Sequence, residues 1–226
     1  MNNCDSEGDI FMNTYIFDFD GTLVNSITTI SYFCNKALNK FGLPSIPEER
    51  YKTLVGDGAV TLVKRMLNEV GADQAMFDKV YPEYYDTYDK NFSYLTEPYE
   101  GIVDMLKELK KRNCKIAVVS NKPEVTTKKI CDELFGDLID ICRGQREGCP
   151  IKPDPTAVYE VIEQFGVDKK DCVYCGDTIT DMETGKNAGL YTIGVLWGFR
   201  DIDEIRRGNP QKIVSHPAEI IETTDL

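Results

Sequence analysis

Five short segments of the sequence are apolar almost without interruption, and they constrain the fold more than any other feature. A strand with one solvated face alternates apolar and polar residues, whereas a strand covered on both faces is apolar along its length. The segments therefore predict strands that are buried on both faces, as in a mostly parallel sheet. They span residues 14–19, 114–120, 137–144, 171–177 and 190–196.

Amphipathic helical patterns separate the later strands. The segments EGIVDMLKELKKRN and DPTAVYEVIEQFG place apolar residues at helical spacing, and the second runs from Asp154 to Gly166, two common helix boundary residues. Strand and helix alternate from about residue 98 onward. The predicted fold is therefore α/β, with a Rossmann-like, mostly parallel, doubly wound sheet as its core.

The first strand interrupts this alternation. About 95 residues separate it from the next convincing strand, although a crossover connection needs only a dozen or more. Helical patterns fill the interval, and Pro82 predicts either a kink or a new helix start within it. We therefore predict a polar extension at residues 1–12, a core at residues 13–22 and 96–226, and an inserted all-α cap at residues 23–95.

The net negative charge of the chain disfavours some classes of binding partner. Asp and Glu number 38 against 26 Lys and Arg, and the formal net charge of −12 repels nucleic acid and anionic membranes. No apolar run approaches the roughly 20 residues of a membrane span, and the opening MNNCDSEGDIF lacks the features of a signal peptide. We expect a cytoplasmic monomer or homodimer with free buried thiols, acting on a small molecule rather than on nucleic acid or a membrane.

Polar residues follow the predicted strands at the point where each strand ends. Ligands of open α/β sheets bind outside the carboxyl ends of the strands, so these side chains should converge on one cleft. Lys152, which lies just before a predicted helix, is expected to join them. The strand-end residues are Asp18, Asp20 and Thr22, then Ser120 and Asn121, then Asp177 and Asp181.

The aspartates of this cleft predict a metal. Asp18 and Asp20 point to the same side if the strand continues through them, so their carboxylates repel each other unless a proton or a cation lies between them. Oxygen ligands without histidine favour a hard cation, and Mg²⁺ is the usual one. The single histidine, His216, lies in the tail of the chain, outside the predicted strand ends.

A carboxylate beside a metal can attack phosphorus and form an aspartyl-phosphate. Asp18 would be the nucleophile, and Asp20 would donate a proton to the leaving group and then accept one from the hydrolytic water. Lys152 would offset the negative charge of the transferred group.

The remaining polar residues fit the same transition state. Ser120, Asn121 and Thr22 would donate hydrogen bonds to the phosphoryl oxygens. Asp177 would bind the metal, and Asp181 would orient the metal or its waters, although it could also only cap the helix that follows.

Four motifs, DFDGT, VVSN, KPDP and GDTITD, occur in the order that resembles the haloacid dehalogenase superfamily. The helical insertion after the first motif resembles the cap of the branch that contains phosphoglycolate phosphatases and β-phosphoglucomutases. The resemblance implies Mg²⁺, held by Asp18, Asp177 and the backbone carbonyl of Asp20. It also implies the following roles: Asp18 as nucleophile, Asp20 as acid and base, Ser120 as the hydroxyl of the second motif, and Lys152 as the family lysine.

Details of the motifs favour a phosphatase. Asp20 argues against carbon–halogen substrates, and DGTLVNS and GVLWGFR are similar to phosphoglycolate phosphatases, so phosphoglycolate is the leading substrate. The segment RGQREGCPI departs from their acidic pattern. A phosphomutase of the same fold is the close alternative. A phosphoacceptor receiver domain also clusters aspartates with a lysine, but the helical insertion counts against it.

Two features of the predicted cap keep open interpretations. The segment VGDGAVT places Gly56, Asp57 and Gly58 at the start of a helix, where they could select the substrate through the anion preference of a helix N-terminus or only form a turn. The tyrosines at 81, 84, 85 and 88 suit cap packing better than a substrate cage.

Overall fold

A computed structural model describes residues 12–223 and contains a parallel sheet of six strands. The strand order is β5-β4-β1-β6-β7-β8, so the order reverses beside the central strand β1. Every neighbouring pair is parallel, which confirms the predicted α/β fold. The strands are β1 (Thr14–Phe17), β4 (Lys115–Pro123), β5 (Ile141–Gln145), β6 (Cys172–Gly176), β7 (Tyr191–Val195) and β8 (Lys212–Val214).

Both faces of this sheet are covered. Tyr15 and Phe17 of β1 pack into one apolar cluster, whereas Ile16 between them packs into another on the opposite face. This arrangement explains why the strand sequence is continuously apolar. The covering helices are α5 (Ile102–Lys111), α6 (Glu124–Leu134), α7 (Thr156–Phe165), α8 (Ile179–Ala188), α9 (Ile202–Arg207) and α10 (Ala218–Thr223).

Four α-helices lie between β1 and α5. They are α1 (Ile27–Lys40), α2 (Glu48–Leu54), α3 (Gly58–Glu69) and α4 (Phe77–Asp89). Helix α4 runs through Pro82, so the proline does not begin a new helix. The four helices bury an apolar cluster of their own, with Tyr51, Met66 and Leu67 at its centre.

A short antiparallel ribbon connects the helical insertion to the sheet. Its strands are β2 (Val24–Asn25) and β3 (Glu97–Pro98). We propose that this ribbon is the boundary between the core and the cap that the sequence places at residues 23 and 95. Residues 1–11 of the expected N-terminal extension lie outside the described residues, whereas Met12 packs against the core.

Two further expectations concern the helices and the cysteines. Of the helices described between residues 12 and 223, none combines the length and the apolar character needed to cross a bilayer. The seven cysteines in the same range all carry free thiols, including Cys172 and Cys175 inside β6.

A substitution in the core tests this packing. Leu106 of α5 is fully buried against the sheet, so Leu106→Ala should reduce the free energy of unfolding by about 2–5 kcal/mol. The matched control is Val125→Ala on α6, where the side chain is 62% exposed and the change should stay within about 0.5 kcal/mol. Urea unfolding curves measure both, and equal losses would contradict the assigned core.

Candidate active site

The candidate active site lies where the strand order reverses, at the carboxyl ends of β1, β4 and β6. Asp18 follows β1 directly, Ser120 and Asn121 lie near the end of β4, and Asp177 follows β6. One cavity is lined by the predicted residues Asp18, Asp20, Ser120, Asn121 and Lys152, together with residues of the helical insertion. The structure therefore brings these five residues together, as the strand-end argument predicts.

Lys152 lies between two buried carboxylates. Its Nζ is 2.6 Å from Asp18 Oδ1 and 2.8 Å from Asp181 Oδ1. Burial alone would lower the pKa of Lys152, but the two carboxylates raise it well above its usual range. The lysine is therefore a fixed positive charge beside Asp18.

Asp177 is fully buried and does not line the cavity, but a carboxylate oxygen of Asp177 lies within 4.8 Å of one of Asp18. Its carboxylate accepts hydrogen bonds from Thr22 Oγ1 at 3.0 Å and from the backbone N–H of Phe199 at 2.8 Å. Burial, together with the nearby Asp181, raises the pKa of Asp177 to about 7. The hydroxyl of Thr22, which the sequence assigned to phosphate, is thus directed to Asp177.

Gly21 allows this close packing. Its φ is +91°, and a Cβ atom at this position would lie 2.4 Å from Asp177 Oδ2. Any other residue would therefore clash with the carboxylate and adopt an unfavourable backbone conformation. The glycine of the motif DFDGT is needed for steric reasons.

Three carboxylates form a cluster that fits a divalent cation. Asp18, Asp177 and Asp181 are buried and each offers an oxygen within 4.8 Å of the others. Burial raises the pKa of Asp18 well above its usual range, and Asp181 raises it further. Oxygen ligands that repel one another in this way suit a hard cation, which would offset their charge.

Asp181 has structural partners in addition to its place in this cluster. Its Oδ1 accepts a hydrogen bond from Lys152, and its Oδ2 accepts one from Thr178 Oγ1 at 2.6 Å. Thr178 and Asp181 form a capping box at the start of α8. Both interpretations of Asp181 that the sequence allows are therefore compatible with its position.

Asn121 braces Lys152. Its side-chain oxygen accepts the Lys152 backbone N–H at 2.8 Å, and its amide donates to the Lys152 carbonyl at 3.2 Å and to the Gly56 carbonyl at 3.0 Å. Ser120 lines the cavity and its Oγ accepts the backbone N–H of Lys122 at 3.2 Å. A phosphate contact by Ser120 or Asn121 stays a prediction.

Asp20 lies in different surroundings from Asp18. Strand β1 ends at Phe17, so the two aspartates lie beyond the strand and their side chains are not forced to one side. The Asp20 carboxylate is held by Ser26 Oγ at 2.5 Å and by Lys122 Nζ at 3.1 and 3.2 Å. The structure shows the Asp18 carboxylate close to those of Asp177 and Asp181, whereas its expected crowding against Asp20 stays a prediction.

Lys122 is a charged residue of the cavity that the sequence analysis missed. Burial would lower its pKa, but the adjacent Asp20 raises it above the usual range, so the ammonium group stays charged. The sequence signal was available, because Lys122 directly follows Asn121 at the end of β4. Lysine side chains are rarely buried, so the sequence alone indicates a solvent-exposed residue at this position.

The cap side of the cavity is mostly apolar, and it is formed by Ile30, Val55, Gly56, Gly58, Ala59, Leu62 and Tyr84. Gly56 and Gly58 thus reach the cavity, whereas the side chain of Asp57 forms an ion pair with Arg65. Tyr81 and Tyr85 stack along α4.

The basic segment before Lys152 has structural partners. Arg146 forms ion pairs with Glu124 and Glu160, and Arg143 contacts Glu160. Trp197 donates a hydrogen bond to the Thr22 carbonyl at 2.9 Å, so it packs behind the site.

Comparisons with known proteins identify the family. Residues 15–195 match the family described as haloacid dehalogenase-like hydrolase. A phosphoglycolate phosphatase of Aquifex aeolicus is 31% identical over 219 residues, which cover 95% of this chain and 97% of that protein. An N-acetylmuramic acid 6-phosphate phosphatase of Pseudomonas aeruginosa is 28% identical over 216 residues, which cover 95% of each chain.

A solved structure supports the same relationship. The crystal structure of a predicted phosphoglycolate phosphatase from Haemophilus somnus has a TM-score of 0.86 to this chain at 26% identity. The similarity covers 94% of this chain and 98% of that one. The chain belongs to the haloacid dehalogenase-like hydrolase family, and the predictions of this family and of a phosphatase-type enzyme within it are confirmed.

The raised pKa of Asp177 predicts a pH-dependent stability. Folding raises this pKa from 3.8 to about 7, so the folded protein binds the proton more tightly and its stability falls as the pH rises through that range. Asp177→Asn removes the ionisable group, and with it the loss of stability that accompanies its ionisation in the folded protein. Without divalent cations, the melting temperature of the variant minus that of the wild type should increase between pH 4 and 7 and then level off. Thermal unfolding of both proteins in the presence of a chelator measures this difference. A difference in melting temperature that does not change with pH would contradict the prediction.

Proposed function

We propose that the protein is a Mg²⁺-dependent phosphatase that hydrolyses a small phosphomonoester through an aspartyl-phosphate on Asp18. The observation that carries this proposal is the position of Asp18 in the cavity. Its carboxylate is 2.6 Å from Lys152 and belongs to a cluster of acids that suits a cation. A nucleophilic carboxylate needs such positive charge around it to approach a phosphate dianion.

In the first step, an oxygen of Asp18 attacks the phosphorus and the bond between phosphorus and the ester oxygen breaks. The electron pair of that bond stays on the alcohol oxygen, which takes a proton from Asp20. Lys152 offsets the charge on Asp18 and on the transferred group. Asn121 holds Lys152 in place through its backbone.

In the second step, a water molecule attacks the phosphorus of the aspartyl-phosphate and gives a proton to Asp20. The bond between phosphorus and Asp18 breaks, which releases inorganic phosphate and restores the carboxylate. Asp20 lines the same cavity as Asp18 but has separate contacts. It can therefore serve both the departing alcohol and the incoming water, which occupy the same side of the phosphorus, opposite Asp18.

Asp18, Asp177 and the backbone carbonyl of Asp20 would hold Mg²⁺, with Asp181 behind them. The bound ion would neutralise part of the charge that gathers on the phosphoryl oxygens and on these acids. The oxygen-only donor set supports Mg²⁺ over softer metals.

We propose a phosphoglycolate-like phosphomonoester as the substrate class, because one of the relatives is named for phosphoglycolate. The second relative is named for a sugar phosphate, so sugar phosphates must also be tested as substrates. The cap residues Gly56 and Gly58 line the cavity and would contact the leaving group. The relatives compared above are phosphatases, so we do not favour the phosphomutase or receiver alternatives.

Replacing the nucleophile tests the chemistry. Asp18→Asn should reduce kcat by at least about 10⁴-fold, because the covalent route is lost. Hydroxylamine added during turnover should trap an acyl hydroxamate at Asp18 in the wild type and none in the variant, as read by peptide mass spectrometry. Retained phosphate release by a folded Asp18→Asn protein would refute the aspartyl-phosphate.

Removing divalent cations tests the metal. Phosphate release from a panel that includes phosphoglycolate, sugar phosphates and glucose 1-phosphates should stop with a chelator and return with excess Mg²⁺. Mg²⁺ should also raise the melting temperature of the wild type more at pH 8 than at pH 5, because protons compete for the same carboxylates. Asp177→Asn is the matched control and should show little of this stabilisation. Activity that is unaffected by the chelator would exclude the metal.

A further inference from the structure

The contacts of Asp20 connect the active site to the cap on two sides. Ser26 lies between the ribbon strand β2 and helix α1, and its hydroxyl donates to Asp20. Serine at this helix boundary normally accepts a hydrogen bond from the first turn, but Ser26 makes no such side-chain cap. The hydroxyl is used for Asp20 instead.

The second connection runs through Lys122. Its ammonium group contacts both oxygens of Asp20 and also donates to Tyr88 Oη at 2.7 Å. Lys122 belongs to the core strand β4, whereas Tyr88 belongs to the cap helix α4. All the side chains involved are largely buried, with only 7% of the Lys122 side chain and 18% of the Asp20 side chain exposed.

We propose that Lys122 is a positioning residue for Asp20, and that Tyr88 of the cap fixes Lys122 so that Asp20 is correctly aimed only when the cap lies over the core. The inference rests on the proposed function, in which Asp20 protonates the leaving group. It assigns to Lys122 and Tyr88 a role in proton transfer rather than in substrate binding.

The geometry favours positioning over substrate binding. Two of the three donor directions of the ammonium group are already used by Asp20 and Tyr88. A contact to both carboxylate oxygens, together with the hydrogen bond from Ser26, fixes the rotation of the Asp20 side chain. Proton transfer requires a heavy-atom approach of about 2.6–3.2 Å, so an Asp20 that rotates freely would seldom reach the leaving oxygen.

A pair of substrates of similar size distinguishes the two roles. Ethyl phosphate has a basic leaving group that needs protonation, whereas 2,2,2-trifluoroethyl phosphate has a much weaker base as leaving group. The parameter kcat/KM reports the steps up to the first irreversible one, here the transfer to Asp18. A loss of proton donation should therefore affect ethyl phosphate far more than the fluorinated ester.

Lys122→Met keeps the length of the side chain and removes its charge. We expect kcat/KM for ethyl phosphate to fall about 100-fold and that for the fluorinated ester to fall less than about 5-fold, within the range of general acid catalysis. Tyr88→Phe removes only a hydroxyl. It should lower the ratio of kcat/KM for ethyl phosphate to kcat/KM for the fluorinated ester by about 3–10-fold. If the Lys122 variant fails to fold, the tyrosine variant still tests the inference.

Lys129→Met is the matched control. Lys129 also connects the core to α4, through an ion pair with Asp89 at 2.8 Å, and Asp89 retains its hydrogen bond from Thr126 in the variant. These contacts do not involve Asp20 or Lys122. The substitution of Lys129 should therefore leave the ratio of kcat/KM for the two esters unchanged.

The outcomes separate this inference from the proposed function. Equal losses for both esters in Lys122→Met, or no loss, would overturn the positioning role while Asp18→Asn remains inactive. A change of the ratio in Lys129→Met equal to that in Lys122→Met would also overturn it, because general cap docking would then explain the effect. Hydrolysis of both esters by Asp18→Asn would instead refute the proposed function itself.

Discussion

Three carboxylates that are buried side by side are the constraint on which the rest of the structure depends. Asp18, Asp177 and Asp181 lose their hydration and repel one another, and Lys152 contacts only two of them. Groups in this state favour protons or a cation over bare charge. The elements around them hold the acids in place: two strand ends supply Asp18 and Asp177, and the start of α8 supplies Asp181.

The fourth acid of the site is kept apart from this crowding. Asp20 is only two residues from Asp18, yet it is bound by Ser26 and Lys122 rather than by Lys152. The separation suits two different tasks, because a nucleophile needs its charge offset whereas a proton donor and acceptor needs a fixed direction.

The sequence predicts those parts of the fold and site that depend on local pattern. The apolar segments located five of the six parallel strands, because a doubly covered strand is visible in its own residues. Strand β8 was missed because it has only three residues. Short elements take their stability from neighbours rather than from their own periodicity.

The polar contacts were harder to predict because they too depend on residues that are distant along the chain. Asn121 lines the expected cleft, whereas Thr22 is buried beneath it against Asp177. Whether a hydroxyl or amide contacts substrate or a neighbouring residue depends on distances that residue order does not contain. Lys122 was missed because its partner Tyr88 comes from the insertion, 34 positions away along the chain. Strand order places a residue at the cleft, whereas its partner there depends on how the insertion is oriented.

The ribbon of β2 and β3 has an evolutionary consequence. Both ends of the insertion leave the sheet side by side, with Val24 opposite Pro98. A different set of helices can be accommodated between these two points without changing the pairing of any strand in the large sheet. Recognition of new substrates can therefore diversify by replacement of the inserted segment, provided that the new segment supplies partners for Asn121 and Lys122 in place of Gly56 and Tyr88.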